Sequence, residues 1–350
     1  MRTHWLAIAM LAALAPAARP GEGPGDAALE QRIAELCSKL GEGQYGNKGA
    51  CQELIEIGEP AMDQLLEALQ AKRPQARWWA VAAVSRIGTD RAFDAVLDVL
   101  RDDPNAFVRS TAAYYLRHFR KKGKDVWPHV EKALDDPDPE VGRWALRLMV
   151  EDGYPELDSV LRKVLREGAA ELRAYALGHI RDLRESQPEA ARDYLPLVRG
   201  LLQPETSPRV RYDALHTAVT LMEEGHLAFL RKTYEEHDHP AVRECVLRCI
   251  TILPEPPVEA FELFVQGLHS EDAKVRETAS KLLRKAYNQY FGYDAKQPLP
   301  IREAAIAKWE AWYRKHYAQL RWHPERRNFV LLGQEKDREP GGEERTPPQE

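Results

Sequence analysis

A short phrase recurs along the chain and constrains its fold more than any other feature. It is an arginine, often preceded by valine, with alanine three positions later in most copies. Counting two weaker copies, the marker residues are Lys48, Arg77, Arg109, Gly142, Arg173, Arg211, Arg243 and Arg276. They are separated by 29, 32, 33, 31, 38, 32 and 33 residues. A period in the low thirties is typical of a stack of small helical units rather than one globular core.

Each unit is predicted to be two antiparallel helices joined by a tight turn. In residues 91–101, an apolar stripe with the helical spacing i, i+3, i+4, i+7 is formed by Phe93, Val96, Leu97 and Leu100. The turn follows at residues 102–105, because Pro104 cannot continue the helix and Asp and Asn favour turns. We expect the second helix to end just before Gly123, a residue that commonly terminates helices.

The turn and second helix of this unit, residues 103–116 (DPNAFVRSTAAYYL), carry a family resemblance. Helix pairs of this length, an Asp-containing turn and Val-Arg-x-x-Ala-Ala resemble HEAT or HEAT-like repeats over about residues 27–290. The resemblance implies an all-α, right-handed α solenoid of about eight antiparallel helix pairs, used mostly for protein–protein interaction. Two departures occur. Gly142 replaces the marker arginine, and the step of 38 predicts about five extra residues near 184–190.

The arginines and alanines of the phrase are interpreted as structural. Alanine allows paired helices to approach closely, and the third position after the marker holds Ala80, Ala112, Ala145, Ala176, Ala214 and Ala279. The planar guanidinium groups are expected to bond carboxylates and turn carbonyls of the next unit. The alternative is that they bind a ligand.

The segment 291–322 is predicted to close the stack. Gly292, Pro298 and Pro300 interrupt the repeat pattern before a last helix at residues 301–320. The apolar side of that helix is predicted to comprise Ile301, Ala305, Ile306, Trp309, Trp312 and Tyr313. Together with FGYD at 291–294, it resembles the closing segment of some secreted bacterial HEAT-repeat proteins. We expect a C-terminal capping helix, or alternatively an aromatic ligand site, followed by a disordered charged tail at 323–350.

The N-terminus has the pattern of a secretion signal. Arg2 precedes an apolar run at residues 6–15, and Ala15-Pro16-Ala17 supplies small residues for cleavage after Ala17. The sequence therefore predicts a signal peptide at 1–17, a flexible linker at 18–26, and export to the periplasm or outside the cell. The alternatives are a disordered apolar start or an uncleaved anchor. The apolar run is too short for stable membrane insertion.

The net charge of −5 argues against a broad nucleic-acid-binding surface, which needs clustered Lys and Arg. No Gly-rich phosphate loop, nucleophile elbow or HExxH sequence occurs. Acidic pairs such as Asp135-Asp136 are expected to be solvated, and isolated histidines such as His179 and His216 to be packing or surface residues. We therefore predict no catalytic residue, no metal and no cofactor.

The four cysteines fall in two pairs. Cys37 and Cys51 are equidistant from the turn of the first helix pair, near Gln44, so they would lie opposite each other. Export would favour a Cys37–Cys51 disulfide, and the alternative is two buried free thiols. Cys245 and Cys249 lie one turn apart on one helix and lack a set of zinc-like partners, so they are interpreted as core residues.

Aromatic residues follow the markers in five consecutive units, at positions one, two and five. They are Trp78, Trp79, Tyr114, Trp144, Tyr175 and Tyr212. The resemblance implies that second helices line a concave face, where such a row of aromatic residues could bind a peptide. Arg143 and Arg147, with Arg117 and Arg181 nearby, could add contacts to carboxylates. The alternative is that these aromatics pack between neighbouring units.

The predicted function is a non-enzymatic scaffold or adaptor that binds a protein or peptide partner, with no nucleic acid and as a monomer. Two alternatives stay open. Some HEAT-like stacks are DNA glycosylases and others resemble lyases that attach bilin pigments, so an enzyme or enzyme accessory is one. A purely structural envelope spacer is the other.

Overall fold

The computed structural model describes residues 24–42, 47–203 and 206–332, and these are predominantly α-helical. They form two compact units that divide between Leu157 and Asp158. The predicted signal peptide and residues 333–350 of the predicted tail lie outside the described residues. The predicted linker at 18–26 overlaps the first helix, which begins at Pro24. In the described part, no helix combines the length and the apolar character needed to cross a membrane.

The first unit consists of consecutive antiparallel helix pairs, as the repeat predicted. Its helices are α1 (Pro24–Lys39), α2 (Lys48–Ile57), α3 (Met62–Ala68), α4 (Pro74–Ile87), α5 (Asp90–Asp102), α6 (Ala106–Arg120), α7 (Trp127–Ala133) and α8 (Pro139–Asp152). Each even-numbered helix is the second helix of a pair, and α4, α6 and α8 each pack against the previous second helix.

The turns inside the pairs fix where the second helices begin. The Asn105 side chain accepts hydrogen bonds from the backbone N–H groups of Phe107 and Val108, at 3.0 and 3.3 Å, and so caps α6. Pro74 and Pro139 occupy the first positions of α4 and α8, where the missing N–H costs nothing. After α6 the chain reaches Gly123 with a φ of 82°, in agreement with the predicted end of this helix.

The small residues of the repeat lie where the helices approach most closely. All six alanines at the third position after the marker are completely buried: Ala80, Ala112, Ala145, Ala176, Ala214 and Ala279. At the crossing near Ala279, a Cβ atom on Gly267 would lie only 2.7 Å from the Cβ atom of Ala279. The structure therefore confirms the packing role of these residues.

The second unit continues the helix pairs with one irregularity. Its helices are α9 (Leu157–Glu167), α10 (Ala170–Ser186), α11 (Pro188–Arg192), α12 (Leu195–Gly200), α13 (Pro208–Leu221), α14 (His226–Glu236), α15 (Pro240–Ile250), α16 (Ala260–Leu268), α17 (Ala273–Tyr287) and α18 (Leu299–His316). The step of 38 is absorbed by the 17 residues of α10 and by the short helix α11. The insertion is thus where the spacing predicted it.

The helix α18 covers the aromatic residues of α16 and α17. Trp309 is 1% exposed, and the ring of Tyr313 stacks on that of Phe261 with 3.9 Å between centroids. These contacts support the capping interpretation. The helix spans 299–316 rather than 301–320, and Ile301 is 53% exposed, so its assignment to the apolar side was wrong.

A β-hairpin extends the cap where a disordered tail was expected. Strands β1 (Leu320–His323) and β2 (Asn328–Leu331) are antiparallel, with Trp322 opposite Phe329. The Phe329 ring stacks on Tyr287 of α17 with 4.7 Å between centroids. The prediction of disorder from residue 323 was therefore wrong for residues 323–332, because two aromatic side chains anchor this polar segment.

Candidate partner-binding face

The marker arginines connect successive turns of the stack. Arg77 donates to both carboxylate oxygens of Asp103, from Nε at 2.6 Å and from Nη2 at 2.8 Å. Arg109 holds Asp136 in the same way, with both bonds at 2.8 Å. Burial raises the pKa of Asp136, but the hydrogen bonds from Arg109 and from the backbone N–H of Asp138, together with the charge of Arg109, outweigh it and leave this pKa below its usual range. Asp136 was expected to be solvated, and instead it accepts both of these hydrogen bonds. We call the pairs Arg77–Asp103 and Arg109–Asp136 the ladder.

Each of these arginines also bonds a carbonyl six residues earlier in its own turn. Arg77 donates to the carbonyl of Ala71 at 2.9 Å, and Arg109 to that of Asp103 at 2.8 Å. In the second unit, Arg243 and Arg276 reach the carbonyls of His237 and Ser270, at 2.9 and 2.8 Å. These contacts confirm that the recurring arginine is structural, but these carbonyls belong to its own turn and not, as expected, to the turn of the next helix pair.

The first aromatic group of the candidate face bridges α4 and α6. Trp78 and Trp79 lie with their ring centroids 4.7 Å apart, and Trp78 meets Phe107 of α6 edge-on at 5.2 Å. Trp78 and Trp79 are half-buried, whereas Phe107 is 54% exposed. The group is therefore packed between neighbouring helix pairs and still open to solvent.

The second aromatic group bridges α6 and α8. Tyr114 meets Trp144 edge-on with 5.0 Å between centroids. The guanidinium of Arg147 lies over both rings, 5.8 Å from the Tyr114 centroid and 4.9 Å from that of Trp144. Arg143 lies over Trp144 at 5.4 Å, and Arg117 over Tyr114 at 5.0 Å. Cations on aromatic faces stabilise such a group and keep its arginines in fixed positions.

Carboxylates of the same chain pair with these arginines. Arg117 reaches Glu151 at 2.9 Å, Arg147 reaches the same carboxylate at 2.6 Å, and Arg143 pairs with Glu140. Glu140 also accepts a hydrogen bond from the indole N–H of Trp144 at 3.1 Å. The hydrogen bond from Arg143 lowers the pKa of Glu140. Arg143 and Arg147 were predicted to meet carboxylates of a partner, and the structure supplies those carboxylates from within α8.

Phe107 is a member of this face that sequence reasoning missed. It lies two positions before Arg109, outside the positions that were compared across units. The equivalent position holds Gln75 in the previous helix pair and Glu140 in the next. Phe107 could have been identified from the sequence as a large apolar residue at a position that is polar in the neighbouring helix pairs. We call Trp78, Trp79, Phe107, Tyr114 and Trp144 the aromatic face.

The remaining predicted aromatics lie in the second unit. Tyr175 of α10 and Tyr212 of α13 are both half-buried. The backbone carbonyl of Tyr212 accepts a hydrogen bond from the thiol of Cys245 at 3.5 Å, and burial raises the pKa of the Tyr212 hydroxyl. Arg181 donates to the hydroxyl of Thr217 at 2.8 Å. The Tyr212 carbonyl and the Arg181 side chain thus connect α13 with α15 and α10.

The predicted Cys37–Cys51 disulfide is not formed, and both thiols are free. Cys37 lines a surface groove with Glu67 of α3, whereas the Cys51 thiol is directed to the carbonyl of Trp79 in α4, at 3.7 Å. Burial raises the pKa of each thiol to about 11. The two side chains sit at matching distances from the turn but face different helices.

The other residues considered for chemistry are packing residues. Cys245 and Cys249 are buried in α15, with their sulfur atoms 3.8 Å apart. His179 and His216 are half-buried, and burial lowers the pKa of both. Among the residues that the structure describes, no group of three or more His, Cys, Asp or Glu side chains could hold a metal ion.

Comparison with known proteins identifies the repeat. The family of HEAT repeats matches residues 33–117. No curated protein matches the chain. Among solved structures, that of Kap121p bound to Ste12p is 13% identical with a TM-score of 0.41, and the match covers 73% of this chain and 29% of that one.

Two further solved structures match over most of their own length. Human deoxyhypusine hydroxylase in complex with glycerol is 19% identical with a TM-score of 0.30, covering 75% of this chain and 98% of that chain. The complex of CpcE and CpcF of phycocyanin lyase from Nostoc sp. PCC7120 is 16% identical with a TM-score of 0.30, covering 70% and 94%. The family match thus identifies HEAT repeats in residues 33–117, and the other described helix pairs continue the same all-α arrangement.

Proposed function

We propose that the protein is a non-enzymatic scaffold that binds a protein or peptide partner through the aromatic face of its first unit. The observation that carries this proposal is Phe107, a large apolar side chain that is 54% exposed and joined edge-on to Trp78. Exposed aromatic groups with fixed neighbours are common centres of protein interfaces, because burying them costs little side-chain entropy.

The geometry of α6 extends this surface toward the second aromatic group. Phe107 and Tyr114 are seven residues apart, so they lie two turns apart on one side of the helix. The indole of Trp144 is fixed between Tyr114, Arg143 and Arg147. A partner segment lying along α6 would therefore meet aromatic rings at both ends, with Arg143 and Arg147 beside the second group of rings.

A photo-crosslinking experiment tests the proposal at the position that carries it. Phe107 is replaced by p-benzoylphenylalanine. A second protein carries the same residue in place of Arg91, which is exposed on α5, the first helix of the same pair. We expect a discrete adduct of defined mass from position 107 and none from position 91 when the proteins are exposed to the envelope fraction of source cells. Equal adducts from both positions would contradict a specific face.

Substitutions then separate partner binding from stability. We expect Trp78→Ala together with Trp144→Ala to abolish the adduct at position 107 while the melting temperature falls by only a few degrees. The matched control is Trp127→Ala, which removes a half-buried tryptophan from α7, the first helix of its pair. The control should keep the adduct. Loss of the adduct only in parallel with unfolding would show that these aromatics serve packing, as a structural spacer would require.

We further propose that the protein acts in the cell envelope or outside the cell. This rests on the apolar run at residues 6–15 and the small residues that end at Ala17. Intact mass measurement of protein recovered from the envelope and the medium tests it, and a mass corresponding to cleavage after Ala17 is expected. A cytoplasmic protein that retains residues 1–17 would refute it.

A further inference from the structure

A basic groove lies at the carboxyl end of α17 in the second unit. Its volume is about 460 Å³. The groove is lined by Lys281, Arg284, Lys285, Asn288, Gln289 and Tyr290. Three of these six residues are cationic, two carry amides and one is aromatic. None is acidic, in contrast to the mixed charges around the second aromatic group of the first unit.

The three cations of this groove have no carboxylate partner in the part of the chain that the structure describes. None of the described carboxylates forms an ion pair with Lys281, Arg284 or Lys285, and all three side chains are exposed. Other cations of the same helix are occupied. Arg276 donates to the carbonyls of Ser270 and Ala295, and Lys274 lies 3.5 Å from Glu244. On α17, the cations without a carboxylate or carbonyl partner among the described residues are therefore those at its carboxyl end.

Tyr290 gives the groove an aromatic wall. The guanidinium of Arg284 lies 4.4 Å from the centroid of its ring, and yet Tyr290 is 57% exposed. Asn288 ends the helix in the left-handed conformation, with a φ of 49°, and so turns the chain toward Gln289 and Tyr290. The arrangement fixes one cation against one face of the ring and leaves the rest of the ring accessible.

The helix dipole accounts for part of this pattern only. Carbonyl groups at a helix C-terminus attract cations, which explains why Lys and Arg are stable there. It does not explain an exposed tyrosine and two amide side chains beside them. Exposed rings and unpaired cations together are features of surfaces that bind another molecule.

We propose that this groove binds an acidic peptide segment of a partner protein. Carboxylates of such a segment would pair with Lys281, Arg284 and Lys285, and the amides of Asn288 and Gln289 match the donors and acceptors of a peptide backbone. The open part of the Tyr290 ring would pack on an apolar side chain of the segment. The groove lies in the second unit and does not depend on the aromatic face of the first.

A short peptide fits the groove better than a nucleic acid strand. Strands are held by cations spread along many phosphates, with several aromatic rings for successive bases. Here the cations span residues 281–285, about 6 Å of helix, and Arg284 already covers one face of the only lining ring.

Fluorescence anisotropy with a labelled ten-residue oligoglutamate, titrated with the full chain, tests the proposal. We expect saturable binding that weakens as the salt concentration rises from about 50 to about 300 mM. Salt screens exposed charges, and over this range the Debye length falls below about 10 Å. Lys281→Glu with Arg284→Glu should weaken binding about tenfold or more. Tyr290→Ala should have a smaller effect in the same direction.

The matched control changes the net charge equally elsewhere in the second unit. Lys296→Glu with Lys308→Glu replaces two exposed lysines outside the groove and should leave binding nearly unchanged. Equal loss in both double variants, with unchanged melting temperatures, would overturn the proposal in favour of nonspecific attraction. Tighter competition by decathymidylate or by tripolyphosphate than by unlabelled oligoglutamate would overturn it in favour of phosphate binding.

Discussion

The two units place an arginine at the same point of the repeat but give it different acceptors. In the first unit, Arg77 holds Asp103 through two short hydrogen bonds, and the two side chains are only 10% and 4% exposed. In the second unit, the equivalent acceptor position, six residues before the next marker, is His237. The Arg211 guanidinium lies 3.5 Å from Nδ1 of His237, and its buried Nε has no hydrogen-bond partner.

The comparison separates two properties of the repeat. The bond from the arginine to a carbonyl six residues earlier occurs in both units, so it maintains the shape of the turn. The side-chain acceptor is variable, and it decides how much the buried guanidinium stabilises the fold. A buried charge with a full set of partners is tolerated, whereas one with partial satisfaction costs free energy. Identical phrases in the sequence therefore do not imply equal stability.

Removal of an acceptor should have the largest effect in the first unit. We expect Asp103→Ala to lower the free energy of unfolding by about 3–5 kcal/mol, because it leaves the buried Arg77 without its carboxylate. Ser270→Ala, at the equivalent position in the second unit, should cost less than about 1 kcal/mol. Urea unfolding of both variants provides the measurement, and equal losses would refute the distinction between the units.

Restoring the missing acceptor should stabilise the second unit. His237→Asp would give Arg211 the carboxylate that Arg77 and Arg109 have, and we expect a gain of about 1–2 kcal/mol. His269→Asp, which introduces the same charge at an exposed position, is the control and should change little. A loss of stability in the first variant would mean that the aspartate cannot adopt the ladder geometry here.

The same variant should also change how stability depends on pH. Burial lowers the pKa of His237, and the nearby Arg211 lowers it further. The unfolded chain therefore takes up the proton first, near an ordinary histidine pKa of about 6.5. Stability is complete above that pH and decreases as the pH falls toward the folded pKa. His237→Asp should lose less stability between pH 7.5 and pH 5 than the unaltered protein, as thermal melts at both pH values would show.

The smallest effect is expected from an ion pair outside the ladder. Arg91 and Asp63 form a bond of 2.7 Å, but their side chains are 60% and 70% exposed. Arg91→Ala should change the free energy of unfolding by less than about 0.5 kcal/mol, because water and salt screen such pairs. A loss comparable to that of Asp103→Ala would show that burial is not what distinguishes the ladder.

The helix pairs could be predicted from the sequence because their signals are local and repeated. The stripe from Phe93 to Leu100, the break at Pro104 and the end near Gly123 each report a nearby backbone constraint, and all three agree with the structure. The insertion near residues 184–190 could be located because the six other steps between markers set the expected spacing.

The failures came from features that depend on side-chain direction or on distant contacts. Counting from a turn brings Cys37 and Cys51 to the same height, but it does not give the rotation of each helix, and they face α3 and α4. The hairpin was missed because it is anchored by contacts between residues distant in sequence, such as the stacking of Phe329 on Tyr287 and the bond from Arg327 to the Thr251 carbonyl. Phe107 was missed because comparison was limited to positions after the marker.

The aromatic cap has a consequence for how this protein could be altered by duplication or by design. Phe261 and Tyr287 present the surface on which another helix pair would stack, and it is covered by Tyr313 of α18 and Phe329 of the hairpin. Inserting a repeat after α17 would require these rings to be displaced. New repeats are therefore expected to be accommodated between existing pairs, where the alanine contacts can be copied, and the cap prevents growth of the array at its carboxyl-terminal end.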